Sequence, residues 1–327
     1  MTKVLITGGC GFIGSNLVEY LLNNTDWKIV ILDDLSEGKL SDVESIPGFD
    51  KRCRFIKGDV RRAADVEIAS SGCDLVVHLA AQVGVIESVN DPVLDAEINI
   101  LGAINILKAC VKNKVKKLVY ASSAAPLGDQ KMPLTEEKLP QPLSPYGASK
   151  LAGEAYCSAF AASHGLNTVA LRFSNVYGPR SYSKGSVIPI FIRQILDGKP
   201  VTIYGDGDQT RDFVHALDIA KAIHLSLTKK GLGNFELIQI GTGQETSINE
   251  LYEKLEKIFA GKGYTLESFH AKERQGEIRR SYNDITKAKR ILGFKPTIAL
   301  EQGLKDTVEW FLKGFGKDAD TVDEWVD

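Results

Sequence analysis

The sequence predicts a doubly wound α/β fold, in which helices cover both faces of a parallel sheet. Short runs that are apolar throughout alternate with amphipathic stretches of helical length from the N-terminus onward. Strands buried on both faces have such continuous apolar runs, whereas half-exposed strands alternate with polar residues. The chain has 327 residues, which is enough for one large domain or two smaller ones.

The predicted elements divide the chain into two domains. Strands are expected at residues 3–7, 28–32, 54–57, 75–79, 117–121 and 168–173, with helices at 13–22, 95–113 and 147–164. A segment rich in Gly, Pro, Ser and Tyr (176–185) precedes a helix near 187–196 and a strand near 201–203. Alternating strand and helix patterns return at 213–227 and 235–240. Further helices are expected at 248–259, 286–292 and 300–312. We predict a larger domain (1–175 plus 213–241), a smaller C-terminal α/β domain (176–212 plus 242–315) and an acidic tail (316–327).

Composition narrows the class of protein. The chain is 43% hydrophobic and 25% charged with a net charge of −2, which is typical of a globular protein and gives no basic excess for nucleic acid. No apolar run is long enough to span a membrane, and the N-terminus has no signal-peptide pattern. Five cysteines without Cys-x-x-Cys spacing and five histidines without metal-ligand spacing predict a cytoplasmic protein with reduced thiols and no metal site.

A glycine loop follows the first predicted strand. Gly8, Gly11 and Gly14 would allow a tight turn and let the backbone approach a pyrophosphate at the N-terminus of the next helix. Asp33 ends the second strand, where a carboxylate can accept hydrogen bonds from a ribose diol and repel a 2′-phosphate. The larger domain is therefore predicted to be a Rossmann domain that binds NAD rather than NADP. The alternative is a structural glycine-rich turn.

Two later segments are candidates for the same site. Asp59 follows the third strand and could meet an adenine amino group, with a helix cap as an equal alternative. The small residues of His78-Leu-Ala-Ala-Gln82 would let a cofactor pass close to the fourth strand. His78 itself is interpreted as a structural residue.

Tyr146 and Lys150 are the candidate catalytic pair. Ser144 and Pro145 predict the N-cap and first turn of a helix, on which residues four apart share a face. A neighbouring ammonium group is expected to lower the pKa of the phenol from about 10 toward neutrality. The phenol could then take up and return a hydroxyl proton. This spacing is common by chance, and the glycine loop gives it weight.

Together these motifs resemble the extended short-chain dehydrogenase/reductase family, and within it the NAD-dependent sugar-nucleotide epimerases. The resemblance covers about residues 2–312 and also rests on Asn99, Ser122-Ser123 and the segments 172–179 and 205–213. The pattern is similar to that of the UDP-glucose and UDP-N-acetylglucosamine 4-epimerases. It implies a homodimer, formed through the helices at 95–113 and 147–164.

The resemblance implies roles for individual residues. Ser123 would hydrogen-bond the sugar 4-hydroxyl beside Tyr146, and Lys150 would hold the nicotinamide ribose. The implied NAD contacts are Gly8, Gly11, Phe12, Ile13, Gly14, Asp33, Asp34, Asp59, Val60, Leu79, Ala80, Ala81, Gln82, Asn99, Ser122, Tyr146 and Lys150. The implied UDP-sugar contacts are Ser88, Ser123, Asn175, Val187, Ile188, Tyr204, Arg211, Arg274 and Ser281.

In that second set, Asn175, Arg211 and Arg274 would bind the diphosphate, and Tyr204 would lie along the uracil. The alternatives are an ion pair of Arg211 with Asp206 or Asp212, and a core position for Tyr204.

Several positions depart from the family pattern. Leu127 stands where an aromatic residue is usual, which would alter the wall near the sugar. Ala124 and Ala125 replace the acidic pair of the related 4,6-dehydratases, so elimination of water is not expected. Asn175 and Tyr182 stand where uronate epimerases tend to have a threonine and a further arginine, which favours a neutral hexose.

Ser281 would leave room for a 2-acetamido group that a bulky tyrosine excludes in relatives restricted to unacetylated sugars. The implied reaction is therefore reversible 4-epimerisation of UDP-glucose, UDP-galactose and their N-acetyl forms through a transient 4-keto sugar. The alternatives are a nucleotide-sugar reductase or dehydrogenase that releases NADH, and a non-catalytic NAD-binding sensor.

Overall fold

The computed structural model describes residues 1–273 and 278–315. Arg274 and the predicted acidic tail lie outside the described residues. The strands are β1 Lys3–Thr7, β2 Lys28–Asp33, β3 Cys53–Lys57, β4 Leu75–His78, β5 Lys117–Ser123, β6 Thr168–Phe173, β7 Asn175–Tyr177, β8 Val201–Tyr204, β9 Thr210–Arg211, β10 Phe213–His215, β11 Phe235–Ile240, β12 Thr246–Ser247, β13 Ser268–Ala271 and β14 Arg280–Ser281.

Helices separate most of these strands. The α-helices are α1 Phe12–Asn24, α2 Leu40–Glu44, α3 Phe49–Arg52, α4 Ala63–Ser70, α5 Val85–Asn90, α6 Pro92–Ala96, α7 Gly102–Lys112, α8 Pro145–His164, α9 Val187–Leu196, α10 Ala216–Thr228, α11 Ile248–Ala260 and α12 Leu300–Phe315. A 3₁₀ turn forms at Ala125–Leu127, and π turns form at Glu97–Leu101 and Ala288–Leu292. None of the helices within the two described ranges is both long and apolar enough to cross a membrane.

Seven parallel strands form the central sheet in the order β3-β2-β1-β4-β5-β6-β11. Its first six strands have the doubly wound order, so the predicted Rossmann-like α/β fold is confirmed. The strand order reverses between β1 and β4, and ligands of such sheets bind beyond the carboxyl ends of the strands at this point.

Helices cover both faces of the sheet, and alternate residues of β1 belong to different hydrophobic clusters. Val4 and Ile6 pack with Leu17 of α1 on one face, whereas Leu5 packs with Ile106 of α7 on the other. Successive side chains of a strand point to opposite faces, so a strand buried between two helical layers must be apolar throughout. This is why β1 reads as a continuous apolar run.

A third hydrophobic cluster lies beside the sheet and belongs to α9, β8, α11 and α12. It includes Phe191, Val201, Leu251 and Phe311. Residues from both segments assigned to the smaller domain thus share one core. The residue boundaries between the two domains stay a prediction.

The helix predicted at 95–113 is interrupted. It runs as α6, the π turn Glu97–Leu101 and α7, each following the last without a break. A π turn takes one more residue than an α turn, so it changes which side chains face inward. Asn99 lies in this turn and is only 1% exposed. The short helices α2, α3, α4 and α5 were not predicted.

Candidate active site

The glycine loop between β1 and α1 leaves no space for side chains. Gly8 has a φ of +68°, and a Cβ added there would lie 2.7 Å from the backbone nitrogen of Ala80. A Cβ added to Gly14 would lie 2.0 Å from the carbonyl oxygen of Gly8. Gly11 is the N-cap of α1 and provides no side-chain cap, so the first N–H groups of α1 can meet a bound anion. The loop fits a dinucleotide pyrophosphate.

Asp33 holds the glycine loop from the end of β2. Its Oδ2 accepts a hydrogen bond from the Cys10 N–H at 2.8 Å, and its Oδ1 accepts one from the Leu35 N–H at 2.9 Å. Burial raises the pKa of this carboxyl, and the N–H donors oppose that rise. Both oxygens keep a lone pair for a ribose hydroxyl. Burial also raises the pKa of Cys10 to about 12, so its thiol stays protonated.

Asp34 and Asp59 lie at the same edge of the sheet. Asp34 accepts a hydrogen bond from the Ser36 hydroxyl at 2.6 Å. The Asp59 carboxylate accepts one from Arg61 Nε at 2.8 Å, and this guanidinium lowers its pKa. The N-cap of α4 is Arg62 rather than Asp59, so the helix-cap alternative for Asp59 is wrong. Its contact with adenine stays a prediction.

The segment after β4 packs against the glycine loop through the backbone of Ala80. His78, at the end of β4, lies 2.7 Å from Thr7 through its Nδ1. Burial, reinforced by the charge of Lys150, lowers the pKa of His78 to about 3, so this side chain is neutral. These contacts agree with a structural role.

Tyr146 and Lys150 lie on one face of α8, as predicted. The Ser144 hydroxyl caps this helix by accepting the Gly147 N–H at 3.1 Å. Lys150 Nζ lies 5.8 Å from the centre of the Tyr146 ring and donates to the Ala121 carbonyl at 3.1 Å. The Ser123 hydroxyl lies near enough to the Tyr146 phenol for hydrogen bonding between them to lower the pKa of Tyr146. The three predicted catalytic residues therefore meet at the end of β5.

The prediction that the pKa of Tyr146 is lowered is wrong in this structure. Burial raises it to about 12, the Ser123 hydrogen bond opposes the rise, and the carboxylate of Asp95 adds to it. Burial likewise lowers the pKa of Lys150 to about 8, against the carboxylates of Asp95 and Glu154, which raise it. The spacing of the two residues predicted their proximity, but desolvation dominates both ionisation equilibria.

A buried ion pair fixes α8 to the sheet. Arg172 of β6 donates to Glu154 through Nε at 2.7 Å and Nη2 at 2.6 Å. The Ser122 hydroxyl also bonds Glu154, at 2.5 Å. Ser122 therefore faces away from Ser123, and the Ser122 hydroxyl is already bonded to Glu154. Any contact of Ser122 with a cofactor would involve its backbone.

A cavity of about 290 Å³ opens beyond the carboxyl ends of β5 and β6. Its lining residues are Ser123, Ala124, Ala125, Gly128, Leu134, Phe173, Ser174, Asn175, Arg211, Ile278 and Ser281. The pairing of β9 with β14 sets Arg211 opposite Ser281. Four residues predicted to contact substrate (Ser123, Asn175, Arg211 and Ser281) therefore share one cavity.

Residues 4–241 match the sequence model of the NAD-dependent epimerase/dehydratase family. The chain belongs to this family. A putative UDP-glucose 4-epimerase of Methanocaldococcus jannaschii is 41% identical over 312 residues, which cover 94% of this chain and 97% of that protein. NAD is thus the cofactor, and the glycine cradle fits it because a Cβ would fill the space at Gly8 or Gly14.

Solved structures of family members have the same fold. A UDP-N-acetylglucosamine 4-epimerase of Methanobrevibacter ruminantium, in complex with UDP-N-acetylmuramic acid, is 37% identical with a TM-score of 0.89, covering 96% of this chain and 99% of that one. A Thermus thermophilus UDP-glucose 4-epimerase in complex with NAD is 37% identical with a TM-score of 0.84, covering 95% of this chain and 99% of that one.

Other predicted family positions lie away from the cavity. The Ser88 hydroxyl donates to the Val85 carbonyl within α5 and is fully buried. Ile188 belongs to the third hydrophobic cluster, and Val187 packs against it. Tyr204 ends β8 and is half-buried. Substrate contacts of these side chains stay predictions, and Arg274 lies outside the described residues.

One inference from the departures in the family pattern is wrong, and a second is not tested by the structure. Leu127 does not form the wall near the sugar, because its side chain is completely buried under the 3₁₀ turn. The Tyr182 ring lies 5.8 Å from that of Phe311 and does not belong to the described cavity lining. The preference for a neutral hexose stays a prediction.

The cavity also contains residues that were not predicted. Phe173 ends β6 and Ser174 follows it, and their position at the carboxyl end of a parallel strand could have identified them. Leu134 and Ile278 carry no such sequence signal. The β-bridge of Leu134 with Asn283 fixes the loop before α8 through a contact distant in sequence.

Proposed function

We propose that this chain interconverts UDP-glucose and UDP-galactose by reversible 4-epimerisation through a 4-keto sugar. One observation carries the proposal. Ser123, which lies beside the proton-transfer residue Tyr146, lines the same cavity as Arg211 and Asn175. A cavity with an acid/base pair at one side and a guanidinium at the other suits a sugar joined to a diphosphate.

Each of these residues has a defined task. Arg211 and Asn175 bind the diphosphate and anchor the nucleotide. Ser123 donates to the sugar 4-oxygen while Tyr146 takes the hydroxyl proton and later returns it. NAD supplies the hydride acceptor and donor. The Lys150 ammonium binds the nicotinamide ribose and opposes the rise in the phenol pKa, which burial and the Asp95 carboxylate cause.

The cavity lining argues against elimination of water, the other reaction of this family. Ala124 and Ala125 occupy the positions where dehydratases have their acid and base. No residue in the described lining carries a carboxyl group. The lining offers hydroxyl groups and a guanidinium, which support epimerisation without a second acid/base pair.

Ser281 extends the proposal to the N-acetyl sugars. Its side chain shares the cavity with Ala125, so two small residues line the space there. The same space would admit a 2-acetamido group on the bound hexose.

We also propose that the protein is a homodimer. Ile86, Val89, Val93 and Leu101 are more than half exposed along α5, α6 and the π turn, and Tyr156 of α8 is 39% exposed. A second copy would cover these apolar side chains. Sedimentation velocity measures the mass, and a monomer at micromolar concentration would contradict this assembly.

The experiment that tests the activity is incubation of the purified protein with a panel of UDP-sugars, with products separated by chromatography. We expect UDP-galactose from UDP-glucose without added cofactor and without accumulation of NADH. Net NADH formation would indicate the dehydrogenase alternative, and no product would indicate the sensor. Tyr146→Phe should lower turnover by about 10²–10⁴-fold while UDP binding persists. Near-normal turnover in this variant would remove Tyr146 from the reaction.

A further inference from the structure

Asp95 is a buried carboxylate at the end of α6 that sequence analysis did not single out. It is 1% exposed, and its Oδ1 accepts a hydrogen bond from Asn99 Nδ2 at 2.8 Å. None of the ion pairs among the described residues involves Asp95. A buried carboxylate costs free energy unless it is compensated, so its placement calls for a reason.

Asp95 is connected to the catalytic turn through Asn99. Asn99 Nδ2 also lies 3.0 Å from the Gln82 carbonyl oxygen and 3.1 Å from the Ser149 hydroxyl oxygen, so its two N–H groups are shared among three acceptors. Ser149 in turn donates to the Tyr146 carbonyl at 3.1 Å. The π turn that carries Asn99 thus joins the cofactor segment to the first turn of α8, and Asp95 orients the joining side chain.

Asp95 also acts on the charges of the catalytic pair. Its carboxylate raises the pKa of both Lys150 and Tyr146. The other ionisable groups around this pair are less able to do so. Glu154 is compensated by its bidentate bond with Arg172, and His78 is neutral at physiological pH. The remaining group is Tyr120, whose pKa burial raises well above its usual value, so it carries no charge.

We propose that Asp95 is a positioning residue of the active site: it orients Asn99, which joins the cofactor segment to the first turn of α8, and it places a negative charge near the Tyr146–Lys150 pair. This inference rests on the proposed 4-epimerase activity. A charged Lys150 is needed to bind the ribose and to favour the phenolate of Tyr146, and burial works against that charge. The Asp95 carboxylate supplies the compensating negative charge without bonding Lys150 directly.

The test removes the negative charge at position 95 but keeps the hydrogen bond with Asn99. Asp95→Asn retains an oxygen that accepts from Asn99, whereas Asp95→Glu retains the charge. Ionisation of Tyr146 is followed in NAD-loaded protein by absorbance, as the difference between each protein and its Tyr146→Phe counterpart. The pH dependence of turnover is measured in parallel. Asp218→Asn is the matched control, because Asp218 is also 1% exposed and accepts hydrogen bonds, from Thr297 and Ile298.

Loss of a negative charge lowers the pKa of an amine and of a phenol alike. Asp95→Asn should therefore move the Tyr146 titration and both limbs of the pH–rate profile to lower pH. We express the activity of each protein relative to its own maximum. On that scale, the activity of Asp95→Asn at alkaline pH should be about tenfold lower than that of the parent. Asp95→Glu should remain nearer to the parent, and Asp218→Asn should not move the titration.

A titration of Asp95→Asn that coincides with the parent would overturn the inference, as would an equal shift in Asp218→Asn. If Asp95→Asn does not fold, Asp95→Glu decides. If Asp95→Glu folds and its Tyr146 titrates as in the parent, the result supports a role for the negative charge. If its Tyr146 titrates at a different pH from the parent, the result contradicts that role. The absorbance titration needs no substrate, so it still tests Asp95 if the parent epimerises no UDP-hexose.

Discussion

Two regions of the active site are built from small residues for opposite physical reasons. In the glycine loop there is no space for a larger residue, since a Cβ on Gly14 would lie 2.0 Å from a carbonyl oxygen. In the cavity beyond β5 and β6, Ala124, Ala125 and Ser281 leave space that the protein itself does not fill. A small residue thus marks either the close approach of two backbones or room for a ligand.

The difference determines what a substitution should do. A larger side chain in the loop must displace backbone, which damages both the fold and the cofactor site. A larger side chain in the cavity displaces only solvent or substrate. A substitution in the glycine loop should therefore change the stability of the protein, and a substitution in the cavity should change which substrate it accepts.

The largest effect is expected from Gly14→Ala. The added methyl group would also lie 2.6 Å from the Gly9 Cα, so the loop has to move. We expect a loss of about 3 kcal/mol or more in the free energy of unfolding, and little NAD retained after purification. Chemical denaturation and the NAD content of the purified protein measure the two effects.

The matched control is Gly314→Ala, because Gly314 lies in α12 and no atom is within 4 Å of an added Cβ. Alanine at this open helical position should leave stability equal or higher by up to about 1 kcal/mol. Normal NAD content in Gly14→Ala would show that the loop accommodates a methyl group. The glycine loop and the cavity would then not differ in how they tolerate a larger side chain.

The loop could be predicted from the sequence because its chemistry is local. Three glycines, a strand and a helix lie within the first two dozen residues, and the backbone alone determines their arrangement. The pairing of Tyr146 with Lys150 is likewise local, since helix geometry fixes residues four apart. The pKa of Tyr146 is not local, because it depends on how deeply the whole fold buries the phenol.

The next effect, on substrate choice, is expected from Ser281→Tyr. A phenol ring in the cavity would take the space proposed for the 2-acetamido group. Turnover of the N-acetyl sugars should fall by about a hundredfold, or roughly 3 kcal/mol, with UDP-glucose turnover changed far less. Values of kcat/KM for UDP-glucose and UDP-N-acetylglucosamine measure the ratio.

Ser281→Ala is the control, since it keeps the cavity open and should preserve turnover of both sugars. If the parent protein does not act on UDP-N-acetylglucosamine, the proposed acetamido space is wrong. If Ser281→Tyr lowers both turnovers equally, Ser281 contacts a part of the substrate that the two sugars share.

The cavity wall could be predicted only in part, for a physical reason. Arg211 and Ser281 are 70 positions apart and meet because β9 pairs with β14. No local pattern encodes that pairing, and only the family resemblance linked these residues to one site. The same resemblance placed Leu127 in the wall, where the 3₁₀ turn instead points its side chain inward.

The smallest effect on turnover is expected from Leu127→Ala. Leu127 is 0% exposed although its neighbour Ala125 lines the cavity, so two residues of one short turn belong to different regions. Truncation should leave an internal void and cost about 2–5 kcal/mol in the free energy of unfolding. Because the cavity wall keeps its residues, the ratio of kcat/KM between UDP-glucose and UDP-N-acetylglucosamine should match that of the parent. A changed ratio at unchanged stability would instead place Leu127 in the wall, and the distinction between residues that fill space and residues that leave it would fail at this turn.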